Sequence, residues 1–189
     1  MTRTIGYIVG SLSSTSINRR LATALAKLAP EGVELVEIPI KDLPFYSQDA
    51  EADFPQAARD FKQAIADADG VIILTPEYSR SIPGVLKNAL DWAARPYGQG
   101  SFDGKPTAVI GASGGGIATA AAQQHLRAIL GHFNAVTMGQ PEGFVQVTPG
   151  LITDEGDVTV ESTAEFLRGY IAAFDTLITR VEAARRHAA

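Results

Sequence analysis

Cysteine is absent from the 189-residue chain. That excludes disulfides, thiolate metal sites and a cysteine nucleophile. Histidine is scarce: His125, His132 and His187 are too few and too scattered to point to a dedicated zinc site. Excess basic charge is missing too. The formal net charge is −5, whereas a nucleic-acid binder usually carries a basic patch or stripe. No run approaches the ~18 apolar residues of a membrane span. The opening "MTRTIGYIVGSLSSTS" has an apolar core shorter than a signal-peptide h-region and reads better as a first strand. These absences predict a cytoplasmic protein with no membrane or nucleic-acid partner. No internal repeat or low-complexity linker is visible, so the length predicts one domain over residues 1–189.

What is present is ordinary globular composition, 46% hydrophobic and 20% charged. It is laid out in alternation. "TIGYIVG" (4–10), "VELVEI" (33–38), "GVIILT" (70–75) and "TAVIGA" (107–112) predict strands. "AVTMG" (135–139) supplies a fifth, to which "GFVQV" (143–147) is a candidate addition. "INRRLATALAKLAP" (17–30) carries Ile17, Leu21, Leu25 and Leu28 at helical spacing behind Ser16 as N-cap. Further helices are predicted over 56–69, 84–94, 116–133 and 161–187, and a long loop with three prolines over 39–55.

Strands alternating with helices mean a parallel sheet covered on both faces. The predicted class is α/β: a flavodoxin-like three-layer α/β/α sandwich, with a five-stranded parallel sheet in the order 2-1-3-4-5. Ligands of such sheets bind at the carboxyl ends of the strands, near the switch point between the first and third. Three loops leave that edge, over 10–18, 75–84 and 112–116.

The first, "GSLSSTSIN" (10–18), holds Ser11, Ser13, Ser14, Thr15 and Ser16, with Asn18 at the helix start. Hydroxyls and free N–H groups at a helix N-terminus form a phosphate cradle, and the helix dipole favours the anion. It contains no lysine, so a bound monoester phosphate suits it better than a triphosphate with magnesium. A Ser-rich turn with an N-cap is the plainer alternative. A Walker loop is absent. In "GQGSFDGKPT" (98–107) the Gly-Lys pair is followed by Pro106 and precedes a strand.

The second, "TPEYSRSIPG" (75–84), is stiffened by Pro76 at the strand end and Pro83 at the next helix start. A stiff loop of mixed polarity presents backbone N–H and C=O groups to the edge of a planar heterocycle, and Tyr78 adds an aromatic face. Glu77 alternatively reads as a surface or helix-capping carboxylate, and Tyr78 as a core-edge aromatic. Proton transfer would need a partner in hydrogen-bond reach, and the sequence names none.

The third, "GASGGGIATA" (111–120), satisfies G-x-S-x-G from Gly111 to Gly115 at a strand-to-helix turn, as a hydrolase nucleophile elbow does. A serine hydrolase using Ser113 would take its acid from Asp154, Asp157 or Asp175 and its base from His187, near the end of the closing helix. No HGGG-type oxyanion segment accompanies it. The glycines alternatively permit close backbone approach to a ligand.

Together "GSLSSTSIN", "TPEYSRSIPGVLKNALDWAARP" and "GASGGG" resemble the NADPH-dependent FMN reductase family, in its quinone, chromate and azo-dye reductase branch. The resemblance spans roughly residues 5–145 and is most specific in the middle stretch. "LPFYSQD" (43–49) and "QHLRAIL" (124–130) add to it. It implies bound FMN, NADPH or NADH as substrate, and ping-pong hydride transfer through flavin N5 to a small-molecule electron acceptor: a quinone, azo compound, metal oxyanion or free flavin.

The resemblance assigns phosphate contacts to Ser11, Ser13, Ser16 and Asn18, and the flavin ring to Pro76, Glu77, Tyr78 and Ser79. The pyrimidine edge falls to Ser113, Gly114, Gly115 and Gly116. Ile17 and Ser81 join the cofactor-binding set. No side chain is assigned the chemistry, which belongs to the flavin. The family often has Arg where this chain has Ser13, and usually Asn where it has Ser79. Family usage also implies a homodimer or homotetramer through helices 84–94 and 117–131, with Arg127 and Glu142 as polar contacts. Two other readings remain: a non-enzymatic FMN electron carrier or redox sensor, and the serine hydrolase. Carrier flavodoxins are usually more acidic and use a T-x-T-G-x-T type loop, absent here.

Overall fold

The apolar runs pair edge to edge. In the computed structural model, which describes residues 2–188, the strands are β1 (Arg3–Val9), β2 (Val33–Glu37), β3 (Gly70–Leu74), β4 (Pro106–Ser113), β5 (Val136–Thr137) and β6 (Gly143–Gln146). All pair in parallel, in the order β2-β1-β3-β4-β5, with β6 also on β4. The predicted flavodoxin-like order is therefore found.

The fifth place is shared by both candidate segments, which makes six strands rather than five. β5 lies beside Pro106 and Thr107, and β6 beside Ile110 to Ser113. The intervening residues 138–142 contain Gly139 and Pro141. A proline has no N–H to give to a ladder, so the edge strand is interrupted there.

The central strand β3 is buried at all five positions, as a strand covered on both faces must be. Successive side chains point to opposite faces, so two cores form. On one face, α1 (Ile17–Leu28) and α5 (Glu161–Ala188) bring Leu21, Leu25, Phe174 and Ile178 onto Ile5, Ile72 and Ile110. The other face carries α2 (Gln56–Asp67), α3 (Gly84–Ala93) and α4 (Ala120–His132), with Phe61, Ile65, Leu86, Leu90 and Leu126 on Ile8, Ile73 and Val109. Each such side chain contributes roughly 1.5–3 kcal/mol by leaving water.

One helix start departs from the sequence reading. Periodicity predicts a helix from 116, yet α4 begins at Ala120. Ala118 and Thr119 have φ of 43° and 70°. Left-handed residues cannot belong to a right-handed helix, so 116–119 forms a turn instead. Among the described residues, no helix is long and apolar enough to cross a membrane.

Candidate functional site

The three loops meet at the carboxyl ends of β1, β3 and β4. Ser11, Ser13, Ser16, Ile17 and Asn18 from the first, Pro76, Glu77 and Tyr78 from the second, and Ala112, Ser113 and Gly114 from the third line one recess of about 250 Å³. Of the other predicted positions, Ser79, Gly115 and Gly116 lie exposed on the same loops, outside that lining, and Ser81 is half-buried.

The first loop is shaped by its own hydroxyls. Ser16 caps α1, its Oγ accepting from the Arg19 amide at 3.3 Å. Ser11 Oγ accepts from the Ser13 amide, and Ser13 Oγ from the Thr15 amide, both at 3.3 Å. The amides of Ile17 and Asn18, the first two of α1, have no acceptor among the described hydrogen bonds. Helix geometry denies them an intrahelical partner, so they are available to an anion. The nearby cations are occupied: Arg19 pairs with Glu37 at 2.9 Å and Arg20 with Asp154 at 3.1 Å. An anion at this helix start would therefore meet hydroxyls, amides and the helix dipole, with Arg19 and Arg20 already paired.

Asn18 is buried, and its side-chain amide is bonded to the backbone of Ala112 in the third loop. Ala112 thus lines the recess and ties two loops together. Its contribution is entirely backbone, so no sequence signal marks it.

In the second loop, the backbones of Tyr78 and Ser81 exchange two hydrogen bonds of 3.0 Å. Between them Ser79 and Arg80 have φ of 50° and 65°. Two positive φ values in succession are the signature of a type I′ turn, which favours Asn and Gly. This gives a backbone reason for the Asn that the family usually has where this chain has Ser79.

Glu77 turns out to be a helix cap. Its side chain is 10% exposed. Oε2 accepts from the amides of Ala121 at 3.0 Å and Ala122 at 3.2 Å, in the first turn of α4, and Oε1 accepts from Arg80 Nη1 at 3.1 Å. A carboxylate at the positive end of a helix is favourable. Glu77 therefore fixes where α4 begins and holds the second loop against it. Tyr78, 52% exposed, opens to solvent and is not a core-edge aromatic.

In the third loop, Ser113 Oγ accepts from the Gly115 amide at 3.1 Å. No histidine bonds to it among the described hydrogen bonds. His125 Nδ1 pairs with Ser81 Oγ at 3.0 Å. His187 sits in the last turn of α5, where Arg185 donates to the Gly104 carbonyl just ahead of β4, at the opposite sheet edge. The first glycine of G-x-S-x-G has a packing reason. A Cβ on Gly111 would lie 2.2 Å from the Thr75 carbonyl oxygen and 2.4 Å from Thr119 Oγ1.

Asn88 and Trp92 of α3 brace a neighbouring segment. Asn88 Nδ2 and Trp92 Nε1 donate to the Pro44 carbonyl at 2.9 and 2.7 Å, and the Tyr46 amide donates to Asn88 Oδ1 at 2.8 Å. Within the chain Arg127 and Glu142 do not pair: Arg127 Nη1 donates to the Met138 carbonyl at 2.7 Å, and Glu142 is exposed.

Amides and hydroxyls gathered at one helix N-terminus, beside a stiff loop and a glycine-rich strand end, suit a phosphate joined to a planar ring. The donor set fits FMN. The chain is 50% identical, over 88% of its length and 91% of the relative's, to a 2-hydroxy-1,4-benzoquinone reductase from a Burkholderia species. It is 38% identical to a quinone reductase of Escherichia coli strain K12, over 93% of this chain and 95% of that one. The solved structure of FerB, a flavoenzyme NAD(P)H:(acceptor) oxidoreductase from Paracoccus denitrificans, superposes with a TM-score of 0.90 at 44% identity, covering 95% of this chain and 98% of FerB. The family model for NADPH-dependent FMN reductases matches residues 3–148, which takes in all three loops. On the site's geometry and these matches, the chain belongs to the NADPH-dependent FMN reductase family.

Proposed function

We propose that the protein is an FMN-dependent NAD(P)H:quinone oxidoreductase working in two half-reactions. Family membership makes it an oxidoreductase with FMN as cofactor and NAD(P)H as substrate. Bound at this recess, FMN would supply the hydride-accepting and electron-donating chemistry, and the residues lining the recess would hold and orient it. The carrying observation is the convergence of three loops on one open recess, with the phosphate donors gathered on one of them.

Each residue set has a task that follows from its place. The hydroxyls of Ser11, Ser13 and Ser16 and the amides of Ile17 and Asn18 hold the phosphate. Residues 76–78 form a stiff wall along the ring, and Glu77 anchors that wall to α4. Ser113 and Gly114 offer backbone at the third side, extended outward by Gly115 and Gly116. Ser79 and Ser81 complete the turn at the mouth.

A quinone is favoured as acceptor by the apolar side chains that these segments expose. Tyr78, which lines the recess, is 52% exposed, and Leu12 and Ile117, on the first and third segments, are 52% and 50% exposed. Such side chains suit a flat, weakly polar acceptor over a metal oxyanion. The relatives named for quinones support the same choice. One open mouth serving both nicotinamide and acceptor favours their alternating in a ping-pong cycle. A cytoplasmic homodimer or homotetramer through α3 and α4 belongs to the same proposal, and light scattering on the purified protein tests its size.

The purified protein is expected to be yellow, to bleach on addition of NADPH or NADH, and to turn over when benzoquinone is present. Parallel double-reciprocal lines are expected when both substrates are varied. Colourless protein that takes up no FMN and oxidises no NAD(P)H with quinone overturns the proposal. Yellow protein without steady-state turnover indicates an electron carrier instead.

A further inference from the structure

A second cavity opens at the amino edge of the sheet, away from the three loops. Its volume is about 800 Å³, in the range of small-molecule sites. Its walls are α2, the 94–105 connection and the last turn of α5. It shares no lining residue with the recess. Arg59, Lys62, Gln63 and Ala66 line it at i, i+3, i+4 and i+7, so they form one stripe of α2. Lys105 joins from the start of β4 and Arg185 from α5.

The charge balance inside this cavity is unusual for an acidic chain. Of the sixteen Lys and Arg residues, eight form ion pairs among the described residues. Four of the other eight, Arg59, Lys62, Lys105 and Arg185, converge here. Of the two carboxylates in the walls, Glu51 is neutralised by an arginine, and Asp103 is hydrogen-bonded to a neutral amide and keeps its charge, so four cations face one free carboxylate. Glu51 accepts from Arg95 at 2.5 and 2.8 Å, and Asp103 accepts from Asn134 Nδ2 at 2.7 Å.

The two lysines are held in place by main-chain carbonyls. Lys62 Nζ donates to Gln99 O at 2.8 Å and Ala93 O at 3.3 Å, and Lys105 Nζ to Ala68 O at 2.7 Å and Ala66 O at 3.1 Å. These bonds close the C-terminal ends of α3 and α2 and leave each ammonium one N–H to give. Burial pushes both lysines below their ordinary range; on Lys105 the neighbouring Arg185 charge adds to the effect, and Asp69 and Asp67 oppose it only in part. Part-buried cations crowded by a like charge are stabilised by an anion between them. Pro96 and Phe54, whose ring packs edge-on against Trp92 at 5.0 Å, add apolar surface to the lining.

We infer that this cavity binds an organic phosphate of nucleotide size, its charge held by Arg59, Lys62, Lys105 and Arg185 and its flat part against Phe54 and Pro96. The inference stands apart from the flavin reading, because none of its residues belongs to the recess.

The test titrates FMN-saturated protein with ADP in the calorimeter and the fluorimeter. Trp92, the single tryptophan, packs against Phe54 in the cavity wall and so senses it through that ring, and flavin absorbance reports on the recess. Saturable binding is expected, with a Trp92 response and an unchanged flavin spectrum. The double variant Arg59→Gln/Arg185→Gln should weaken ADP about tenfold or more, since charged hydrogen bonds are lost. Should that variant fold poorly by circular dichroism, Ala66→Glu adds a carboxylate to the same stripe without removing a contact, and should weaken ADP similarly. The inference is overturned if ADP gives no heat at millimolar concentration, if the variants bind as the parent does, or if only the flavin spectrum responds. Protein that takes up no FMN is titrated in the same way, so failure of the flavin reading is seen separately.

Discussion

Asn18 and Ala112, 94 residues apart, share two buried hydrogen bonds: Asn18 Nδ2 donates to the Ala112 carbonyl at 3.0 Å, and the Ala112 amide donates to Asn18 Oδ1 at 2.8 Å. The side-chain amide here plays the part of a neighbouring strand. It joins the loop after β1 to the end of β4, although β3 lies between those strands. The relative position of the Ser-rich loop and the glycine-rich segment depends on this pair. Asn18→Ala would leave a buried N–H and a buried C=O without partners. It should cost about 2–4 kcal/mol in urea unfolding and weaken FMN in a fluorescence titration. Unchanged stability would mean that water replaces the amide.

Glu77 is predicted to position and not to transfer protons, since its oxygens accept from Ala121, Ala122 and Arg80. Glu77→Ala should lower stability by about 1–2 kcal/mol, the value of a lost helix cap. Glu77→Gln keeps an acceptor and should cost less. In both variants the pH profile of kcat should keep its shape. Loss of a limb in Glu77→Gln would restore an acid-base role.

The turn at Ser79 separates backbone from side-chain effects. Ser79→Asn and Ser79→Gly should both stabilise the protein by roughly 0.5–1 kcal/mol, because both residues tolerate positive φ better than serine. FMN affinity should follow the same order in both. An affinity gain in Ser79→Asn alone would show that the amide itself reaches the cofactor.

Ser13 sits in a cradle whose neighbouring arginines are paired with Glu37 and Asp154. Ser13→Arg supplies a charge-assisted contact and should tighten FMN by about tenfold. Riboflavin, which has no phosphate, should bind as before. Equal tightening of both would place the new side chain on the ring instead.

Glu51 gives a pH dependence with a definite sign. The Arg95 guanidinium, and then the Tyr46 hydroxyl, hold its carboxyl below the ordinary value of 4.5. A carboxyl depressed in the folded state adds stability above its unfolded value and loses it as pH falls through the folded one. The 43–54 segment, where Tyr46 packs on Trp92, should therefore loosen on acidification below pH 4.5. Trp92 emission followed from pH 6 to pH 3 should show that loosening in the parent and a flatter response in Glu51→Gln (about the range over which a carboxylate titrates).

Much of this architecture is local in origin and so is legible along the chain. A buried strand such as β3 shows itself as an unbroken apolar run, and α1 as a four-residue leucine spacing behind a serine cap. Alternation, together with the rules that govern parallel connections, then leads to the sheet order and to the edge at which ligands of such sheets bind. The Ser-rich loop is legible for the same reason, since capping chemistry is written within a few residues.

Other features depend on partners that local pattern does not name. α4 starts at Ala120 because its first amides meet Glu77 from a different loop, 44 residues earlier. Both 135–139 and 143–147 read as possible edge strands, and only the length of β4 makes room for the two of them. The four unpaired cations of the second cavity come from α2, the start of β4 and α5, and no stretch of sequence shows them together. The elements, their order and the capping chemistry of the Ser-rich loop can be read along the chain, because they follow from short-range sterics and hydrophobic period. Which carboxylate caps which helix, which amide locks which loop and where cations without an ion pair gather is settled only in the folded molecule. Those bonds close over tens of residues, and their partners meet only once the sheet has formed.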